Sequence, residues 1–261
     1  MKKLTVLGIE FKDYTVRESM RRVTMYLNNG VCNTVDFITH DVLLKASQDE
    51  DMRESLEMMD LLIPTSNDIL QAGNVSSRSR GKEIESNLFL KGLLRKISKE
   101  GRSVFLLAPS EARLDSLKES LLNFYGPLNI VASASGDGTA GEDDFIVNEV
   151  NSCLPDIIIM NLESPYAERF IKENRMKLNT QLIVILRDVS FRVNSRGEVK
   201  RGGLGEFLMR RVFRNAADNY VKEDKAEEGA ENPEVEALIQ SGKIVELGKV
   251  SAEENRETKD L

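Results

Sequence analysis

Short apolar runs and amphipathic stretches alternate along the first 188 residues of the chain. The apolar runs have the length and composition of strands, and they occur at LTVLGIEF, TVDFITH, DLLIP, SVFLLAP, NIVASAS, DIIIMNL and TQLIVILRD. The helices predicted between them, of about 10–16 residues, place apolar side chains at helical spacing, as in VRESMRRVTMYLNN with Val16, Met20, Val23 and Leu27. Strands separated by helices predict an α/β fold with a mostly parallel, Rossmann-like sheet and helices on both faces.

Four of the predicted strands are almost continuously apolar. They are TVDFITH, SVFLLAP, DIIIMNL and TQLIVIL. Strands of this kind are covered by helices on both faces and lie inside parallel sheets. We therefore expect these four segments to be mostly parallel and central.

The alternation ends after Asp188. A basic loop, VSFRVNSRGEVKRGG, leads into an amphipathic helix, LGEFLMRRVFRNAADNYV, and both are followed by a charged tail. Residues 222–261 hold six basic and twelve acidic side chains and few aromatic ones, a composition typical of mobile segments. We expect an α/β body over residues 1–221, with residues 187–221 as a basic appendage, and an acidic, mobile tail over residues 222–261.

Composition excludes several classes of protein. No apolar run reaches the length of a membrane span, about 20 residues. The apolar stretch at the start of the chain is interrupted by Glu10 and Lys12, which argues against a signal peptide, so a cytoplasmic protein is expected. Cys32 and Cys153 lie far apart, and the chain has one histidine, which argues against a metal site. The net charge of −7 lies almost entirely in the tail, and this disfavours nucleic acid as a partner.

One glycine-rich segment has the spacing of a dinucleotide-binding loop. Gly136, Gly138 and Gly141 in SGDGTAG stand between a predicted strand and a predicted helix, as a nicotinamide-dependent oxidoreductase would require. Acidic residues surround the glycines and would repel a pyrophosphate. They suit the N-terminus of a helix, so a helix-entry loop is the preferred interpretation and no cofactor is predicted.

The single histidine follows a predicted strand. His40 could act as a general base at the strand end. The alternative is a helix start capped by Asp41.

The basic stretch from Arg187 to Arg214 holds eight basic and three acidic residues. Clustered guanidinium groups suit phosphate or diphosphate, and on an amphipathic helix they also suit an anionic membrane surface. A solvated face is the third interpretation. Apolar side chains on the same helix favour a docking surface; they are Leu204, Phe207, Leu208, Val212 and Phe213.

Several segments, in their order along the chain, resemble the WecG/TagA/CpsF family of bacterial glycosyltransferases from about Leu4 to Arg214. The segments are VLGIEFKDYTVRESMRRV, FITHDVLLKASQDEDMRESLEMMDLLIPTSN, GRSVFLLAPSEARLDSLKESLLNFYGPLNIV, DIIIMNLESPYAERFIKENRMKL and GEVKRGGLGEFLMRR. The resemblance implies transfer of an N-acetylhexosamine-type sugar from a UDP-sugar to a lipid-linked diphosphate in cell-surface polysaccharide synthesis. It also implies a peripheral position at the inner membrane face and no metal-binding carboxylate motif.

Polar motif positions of this family are replaced in the chain. The strand that ends in Pro64 continues in the family with Asp, the presumed base, and here with Thr65. The family's Gln and Trp after Pro165 are Ala167 and Phe170, while Glu168 remains. Arg201 and Arg210 match basic positions of the family's late loop and helix.

Two interpretations follow from the resemblance. In the first, the chain is a degenerate glycosyltransferase that binds a nucleotide-sugar, a lipid-linked diphosphate or a membrane, with little or no sugar transfer, because a threonine hydroxyl cannot act unaided as a general base. In the second, it is an active enzyme that uses Asp41, Asp68 or Glu168 as base. A second copy of the chain is a further predicted partner.

The resemblance places the pocket where the ends of TVDFITH, DLLIP and DIIIMNL meet. Catalytic candidates are Asp41 and Glu168, and the nucleotide-sugar pocket is predicted at Thr39, Thr65, Ser66, Asn87 and Glu163. Phosphate or lipid contacts are predicted at Arg201, Arg210, Arg211 and Arg214.

Overall fold

A computed structural model describes residues 2–139, 141–187 and 204–230 of the chain. The chain divides into two compact units, Met1–Arg214 and Asn215–Leu261. The residues considered below as a functional site belong to the first unit. Most of the predicted basic loop and of the predicted acidic tail lies outside the described residues.

The chain begins with a hairpin and not with the single strand predicted over LTVLGIEF. Strand β1 (Lys2–Val6) pairs antiparallel with β2 (Ile9–Asp13). Leu7 and Gly8 connect them with positive φ angles of 52° and 79°, a backbone that gives a two-residue turn the twist of the strands it joins. The single-strand prediction was wrong because a leucine does not indicate a turn with a positive φ angle.

The remaining elements alternate largely as predicted. They are α1 (Val16–Tyr26), β3 (Asn33–Ile38), α2 (His40–Gln48), α3 (Glu50–Glu57), β4 (Leu61–Pro64), α4 (Asn67–Ala72), α5 (Arg78–Glu85), α6 (Leu88–Lys99), β5 (Ser103–Ala108), α7 (Glu111–Phe124), β6 (Asn129–Ser135), α8 (Glu142–Cys153), β7 (Ile157–Met160), α9 (Tyr166–Asn174), a 3-10 turn (Arg175–Lys177), β8 (Leu182–Ile185) and α10 (Leu204–Ala230).

Six strands form one parallel sheet in the order β4-β3-β8-β7-β5-β6. The four central strands are the four that their continuous apolar runs predicted. Parallel crossovers are right-handed, so connections that run toward opposite edges of the sheet place their helices on opposite faces. In agreement, α6 contacts α1, whereas α9 contacts both α3 and α8. The α/β prediction with a mostly parallel sheet and helices on both faces is confirmed.

The core lies on both sides of this sheet. The side chains of β7 and β8 are buried throughout, as are the last five residues of β5. One central strand carries a charge into this interior, because Asp36 of β3 is fully buried. A buried charge requires a partner, and that partner belongs to the site described below.

Among the described helices, none has both the length and the apolar character needed to cross a bilayer.

Candidate functional site

Polar side chains gather at the carboxyl edge of the sheet, directly after the parallel strands. Thr39 follows β3, Thr65 follows β4, Asn161 follows β7, and Arg187 lies two residues beyond β8. Ligands of open α/β sheets bind outside the carboxyl ends of the strands. This edge is therefore the candidate site, and it contains two separate spaces.

The larger space is a cleft of about 310 Å³. Thr39, Asp41 and Glu163, three of the predicted site residues, line it together with Val42, Lys45, Arg113, Asn161, Leu162, Ser164 and Arg187. The Thr39 hydroxyl accepts a hydrogen bond from the Val42 amide and caps α2. The first turn of α2 lies on this wall, so the positive end of its dipole is at the cleft. The loop that leads into α9 contributes Glu163 and Ser164.

Asp41, one of the two catalytic candidates, is half exposed and pairs with Lys45. The Lys45 ammonium lies 2.8 Å from an Asp41 oxygen and donates a second hydrogen bond to the Ser164 carbonyl at 3.1 Å. This lysine therefore joins the first turn of α2 to the loop that precedes α9. It also leaves Asp41 ion-paired.

The smaller space is a cavity of about 30 Å³ beside the ends of β3 and β4, and Thr65 and Asn87 line it. The Thr65 hydroxyl donates to the Ile38 carbonyl at 2.8 Å. The hydroxyl at the position of the family's presumed base is thus hydrogen-bonded to the backbone of the neighbouring strand β3. The structure places Thr65 and Asn87 in a different space from Thr39, Asp41 and Glu163.

Glu168, the second catalytic candidate, is enclosed in the protein with Asp36 and Arg187. One Arg187 nitrogen, Nη2, lies 2.9 Å from both Asp36 oxygens and 2.7 Å from Glu168 Oε1. The Ser164 hydroxyl also donates to Glu168 Oε1 at 2.7 Å. Asp36 and Glu168 are 0% exposed, so Glu168 does not line the cleft, whereas Arg187 does.

Two carboxylates share one guanidinium in this cluster. Burial raises the pKa of Asp36 to about 7; the Arg187 charge opposes this increase and the Glu168 charge adds to it. Because of this balance, the cluster exchanges a proton near neutral pH. Its net charge then changes between neutral and negative directly behind the cleft wall.

Ser66 lies in a third group, which is covered by α10. Its hydroxyl shares a hydrogen bond of 2.8 Å with His40 Nε2, and an Asp68 oxygen lies 3.7 Å from the same nitrogen. A nucleophile–base–acid relay needs the serine and the aspartate on opposite ring nitrogens, so this group is not such a relay. Burial lowers the pKa of His40 to about 4, which keeps the ring neutral at neutral pH.

The arginines predicted for phosphate or lipid binding differ from one another in their surroundings. Arg214 and Arg210 both pair with Asp68, at 2.5 and 3.5 Å, and Phe213 packs on the His40 ring with centroids 4.7 Å apart. Arg211 is exposed on the same helix. Arg201 lies outside the described residues.

The backbone amides of the glycine-rich loop already bind a carboxylate of the protein itself. The Glu142 carboxylate accepts from the backbone amides of Asp137, Gly138 and Thr139 at 2.9, 3.3 and 3.2 Å. These are the groups that a dinucleotide-binding loop would offer to a pyrophosphate. The geometry favours the interpretation of this loop as a helix entry.

The sequence interpretation did not assign Asp36, Lys45 or Arg113 to the site, and it placed Arg187 in the basic stretch. A usable signal existed for Asp36, because an acidic residue inside a continuous apolar strand needs a buried partner. Lys45 follows Asp41 by one helical turn, which is the spacing of an ion pair.

Comparison with known protein families identifies a match over most of the chain. The model of the glycosyl transferase WecG/TagA/CpsF family matches residues 4–201. A comparison with curated proteins found no match.

Proposed function

The chain belongs to the WecG/TagA/CpsF family of glycosyltransferases, and from this premise we propose that it binds a nucleotide-sugar or lipid-linked diphosphate with little or no sugar transfer. One observation carries the proposal. Thr65 stands where the family has its presumed base, and its hydroxyl donates to the Ile38 carbonyl. A hydroxyl that is un-ionised at neutral pH and engaged as a donor cannot accept the proton of a sugar acceptor.

The other carboxylates considered as bases support this proposal. Glu168 is enclosed and paired with Arg187. Asp68 is 8% exposed and accepts from Arg214 on the covering helix. A general base has to come within hydrogen-bond reach of the proton it removes, and neither carboxylate meets this condition in the described arrangement.

The cleft supports the binding part of the proposal. Its volume of about 310 Å³ falls at the lower end of the range for small-molecule sites, about 300–1,000 Å³. Lys45, Arg113 and Arg187 line it, and the N-terminus of α2 adds partial positive charge. Together these groups suit the diphosphate of a nucleotide-sugar.

An active transferase is the second candidate function, and Asp41 favours it. This side chain is 46% exposed and lines the cleft, so a bound acceptor could reach it. Such an enzyme would have a rebuilt site, with the base on α2 in place of the loop after β4.

We further propose that α10 brings the protein to the inner face of a membrane as a peripheral partner. Its outward side chains Phe207, Leu208 and Val212 are 62%, 50% and 55% exposed, and Arg211 is exposed among them. An exposed apolar stripe with a basic residue suits an anionic lipid surface. The body and the appendage then have separate tasks, ligand binding and docking, with the acidic tail beyond them.

Calorimetric titration with UDP-N-acetylglucosamine, alongside a transfer assay with a lipid diphosphate acceptor, tests the proposed function. We expect saturable binding and no turnover above background. Lys45→Met should weaken binding, whereas Lys118→Met on α7, outside the cleft, should not. Efficient transfer that is lost in Asp41→Asn would establish the second candidate, and absence of binding would overturn both.

A further inference from the structure

The buried cluster of Asp36, Glu168 and Arg187 places charged groups in a part of the core where desolvation is unfavourable. Removing a carboxylate or a guanidinium from water costs several kcal/mol, and well-packed apolar residues of similar volume are often as stable or more stable. Strands β7 and β8 fill the neighbouring part of this core with apolar side chains alone. Packing alone therefore gives no reason for the cluster.

The Arg187 guanidinium is not fully used by the protein. Nη2 serves both carboxylates, and Nη1 donates to the Leu162 carbonyl at 3.1 Å. Among the described residues, Nε has no hydrogen-bond partner, and it is shielded from the solvent. The side chain is 8% exposed and lines the cleft. A nine-tenths buried cation therefore stands at the wall of a space that a small molecule could enter.

The surroundings of Arg187 favour an anion as the occupant. Lys45 and Arg113 line the same cleft, and α2, a helix of nine residues, begins at its wall. The opposing charges on the wall are Asp41, which pairs with Lys45, and the exposed Glu163. Guanidinium groups match phosphate oxygens in geometry as well as in charge.

We propose that Arg187 is an anion-binding residue of the cleft, that it takes a phosphate or diphosphate group, and that Asp36 and Glu168 act as positioning residues that set its net charge. The inference rests on the proposed function and deepens it, because a nucleotide-sugar presents such a diphosphate. The two carboxylates hold the guanidinium at the wall. When both are ionised, they outweigh its charge and the cluster is negative.

Protonation of the cluster should therefore strengthen anion binding. The charged groups that face Asp36 are Arg187 after β8 and Glu168 on α9, whereas its register partners Leu62 and Ile185 on the two neighbouring strands are apolar. As the pH falls through about 7, Asp36 takes up a proton. The cluster loses a negative charge, and the cleft becomes more attractive to an anion.

Sulfate is a suitable probe, because its charge does not change between about pH 6 and pH 8, and UDP-N-acetylglucosamine keeps its charge over the same range. Titrations of the full chain should show binding of both to be tighter at the lower pH. Asp36→Asn keeps Arg187 and removes one carboxylate. We expect this variant to bind sulfate up to about tenfold more tightly at pH 8, equivalent to about 1.4 kcal/mol, and to lose most of the pH dependence.

A matched control is Asp156→Asn, which alters a carboxylate paired with Arg102 at the amino edge of the sheet. It should leave sulfate affinity unchanged. The variant with Asp36→Asn, Glu168→Gln and Arg187→Gln together replaces the ionic cluster by neutral polar side chains. It should bind sulfate about tenfold more weakly than the wild type, since charge-assisted hydrogen bonds are lost, and circular dichroism and a melting curve report whether it is folded.

Three results would overturn the inference: no sulfate binding by the wild type, wild-type sulfate binding by the folded triple variant, or a folded Asp36→Asn variant with unchanged affinity and pH dependence. If sulfate behaves as expected but UDP-N-acetylglucosamine does not bind, Arg187 is an anion site and the proposed nucleotide-sugar function is wrong. If only the UDP-sugar binds and Asp36→Asn has no effect, the proposed function stands and the role of Arg187 is wrong.

Discussion

Arg214 on α10 donates a hydrogen bond of 2.5 Å to Asp68 on α4, and this contact joins residues 146 positions apart in the chain. One residue earlier, Phe213 is fully buried against the His40 ring. The ion pair and the apolar anchor together hold this part of α10 on the carboxyl edge of the sheet. This helix therefore covers Ser66, His40 and Asp68.

The apolar anchor should matter more to this docking than the ion pair. Removing a buried phenylalanine side chain costs about 3–5 kcal/mol. The Arg214 side chain is 61% exposed, and Arg210 remains as a partner of the buried Asp68 when Arg214 is removed, so the loss of this one arginine should cost less. In hydrogen exchange, Phe213→Ala should therefore deprotect amides 206–214 more than Arg214→Ala does. Val212→Ala, at an exposed neighbouring position, is the control, and equal deprotection by all three variants would contradict this ranking.

Replacing Thr65 by aspartate should raise sugar transfer if the chain is a decayed enzyme. Thr65→Asp restores a carboxylate at the family's presumed base position, whereas Thr65→Asn has the same size and no basic oxygen of that kind. Thr65→Asp loses the hydrogen bond to the Ile38 carbonyl, which is worth about 1 kcal/mol, whereas the asparagine amide still offers a donor, so a melting curve of each variant accompanies the assay. A transfer rate for the aspartate variant no higher than that of the asparagine variant would show that this position does not limit turnover.

Asp36 should make folding less favourable as the pH rises from about 4 to 7. Its pKa is about 7 in the folded protein and about 4 in an unfolded chain, so the folded state holds the extra proton in this window. The stability contributed by the protonated form is complete below pH 4 and is lost as the pH rises through 7. Denaturant titrations of Asp36→Asn should show a flatter dependence than the wild type, and parallel curves would contradict the assignment.

His40 should change the stability of the fold with pH in the direction opposite to Asp36, over nearly the same pH range. Its pKa is lowered to about 4 in the folded protein, from about 6.5 in an unfolded chain. The unfolded state therefore binds the extra proton, and the contribution of His40 is present above pH 6.5 and lost as the pH falls through 4. His40→Gln should remove this loss on acidification, which the same denaturant titrations measure. A variant as sensitive to acid as the wild type would rule out this role.

The outward face of α10 should govern binding to anionic vesicles. Phe207→Ser with Leu208→Ser removes exposed apolar area without disturbing the core, so the fold should remain and co-sedimentation should fall. Leu122→Ser on α7, at a side chain 57% exposed, is the matched control and should have no effect. Salt should weaken the wild-type interaction because charges near the surface are screened within about 10 Å. Wild-type protein that stays in the supernatant at low salt would refute membrane docking.

The strand pattern of this protein could be predicted because it is a local property of the chain. A parallel strand covered on both faces has to be apolar at nearly every position, and β3, β5, β7 and β8 are the central strands of the sheet. The hairpin of β1 and β2 was missed, since Leu7 and Gly8 interrupt an apolar run only through their backbone angles.

The sequence by itself determined the α/β class, the central strands and the family resemblance, because periodicity and motif spacing are carried by neighbouring residues. Only the tertiary structure decided which polar residues meet. It separated Thr65 from Thr39 and Asp41, enclosed Glu168 with Asp36 and Arg187, and paired Arg210 and Arg214 with Asp68. These contacts join residues up to 151 positions apart, and a charge buried in a folded core takes the partner that the packing of strands and helices places beside it, however distant along the chain.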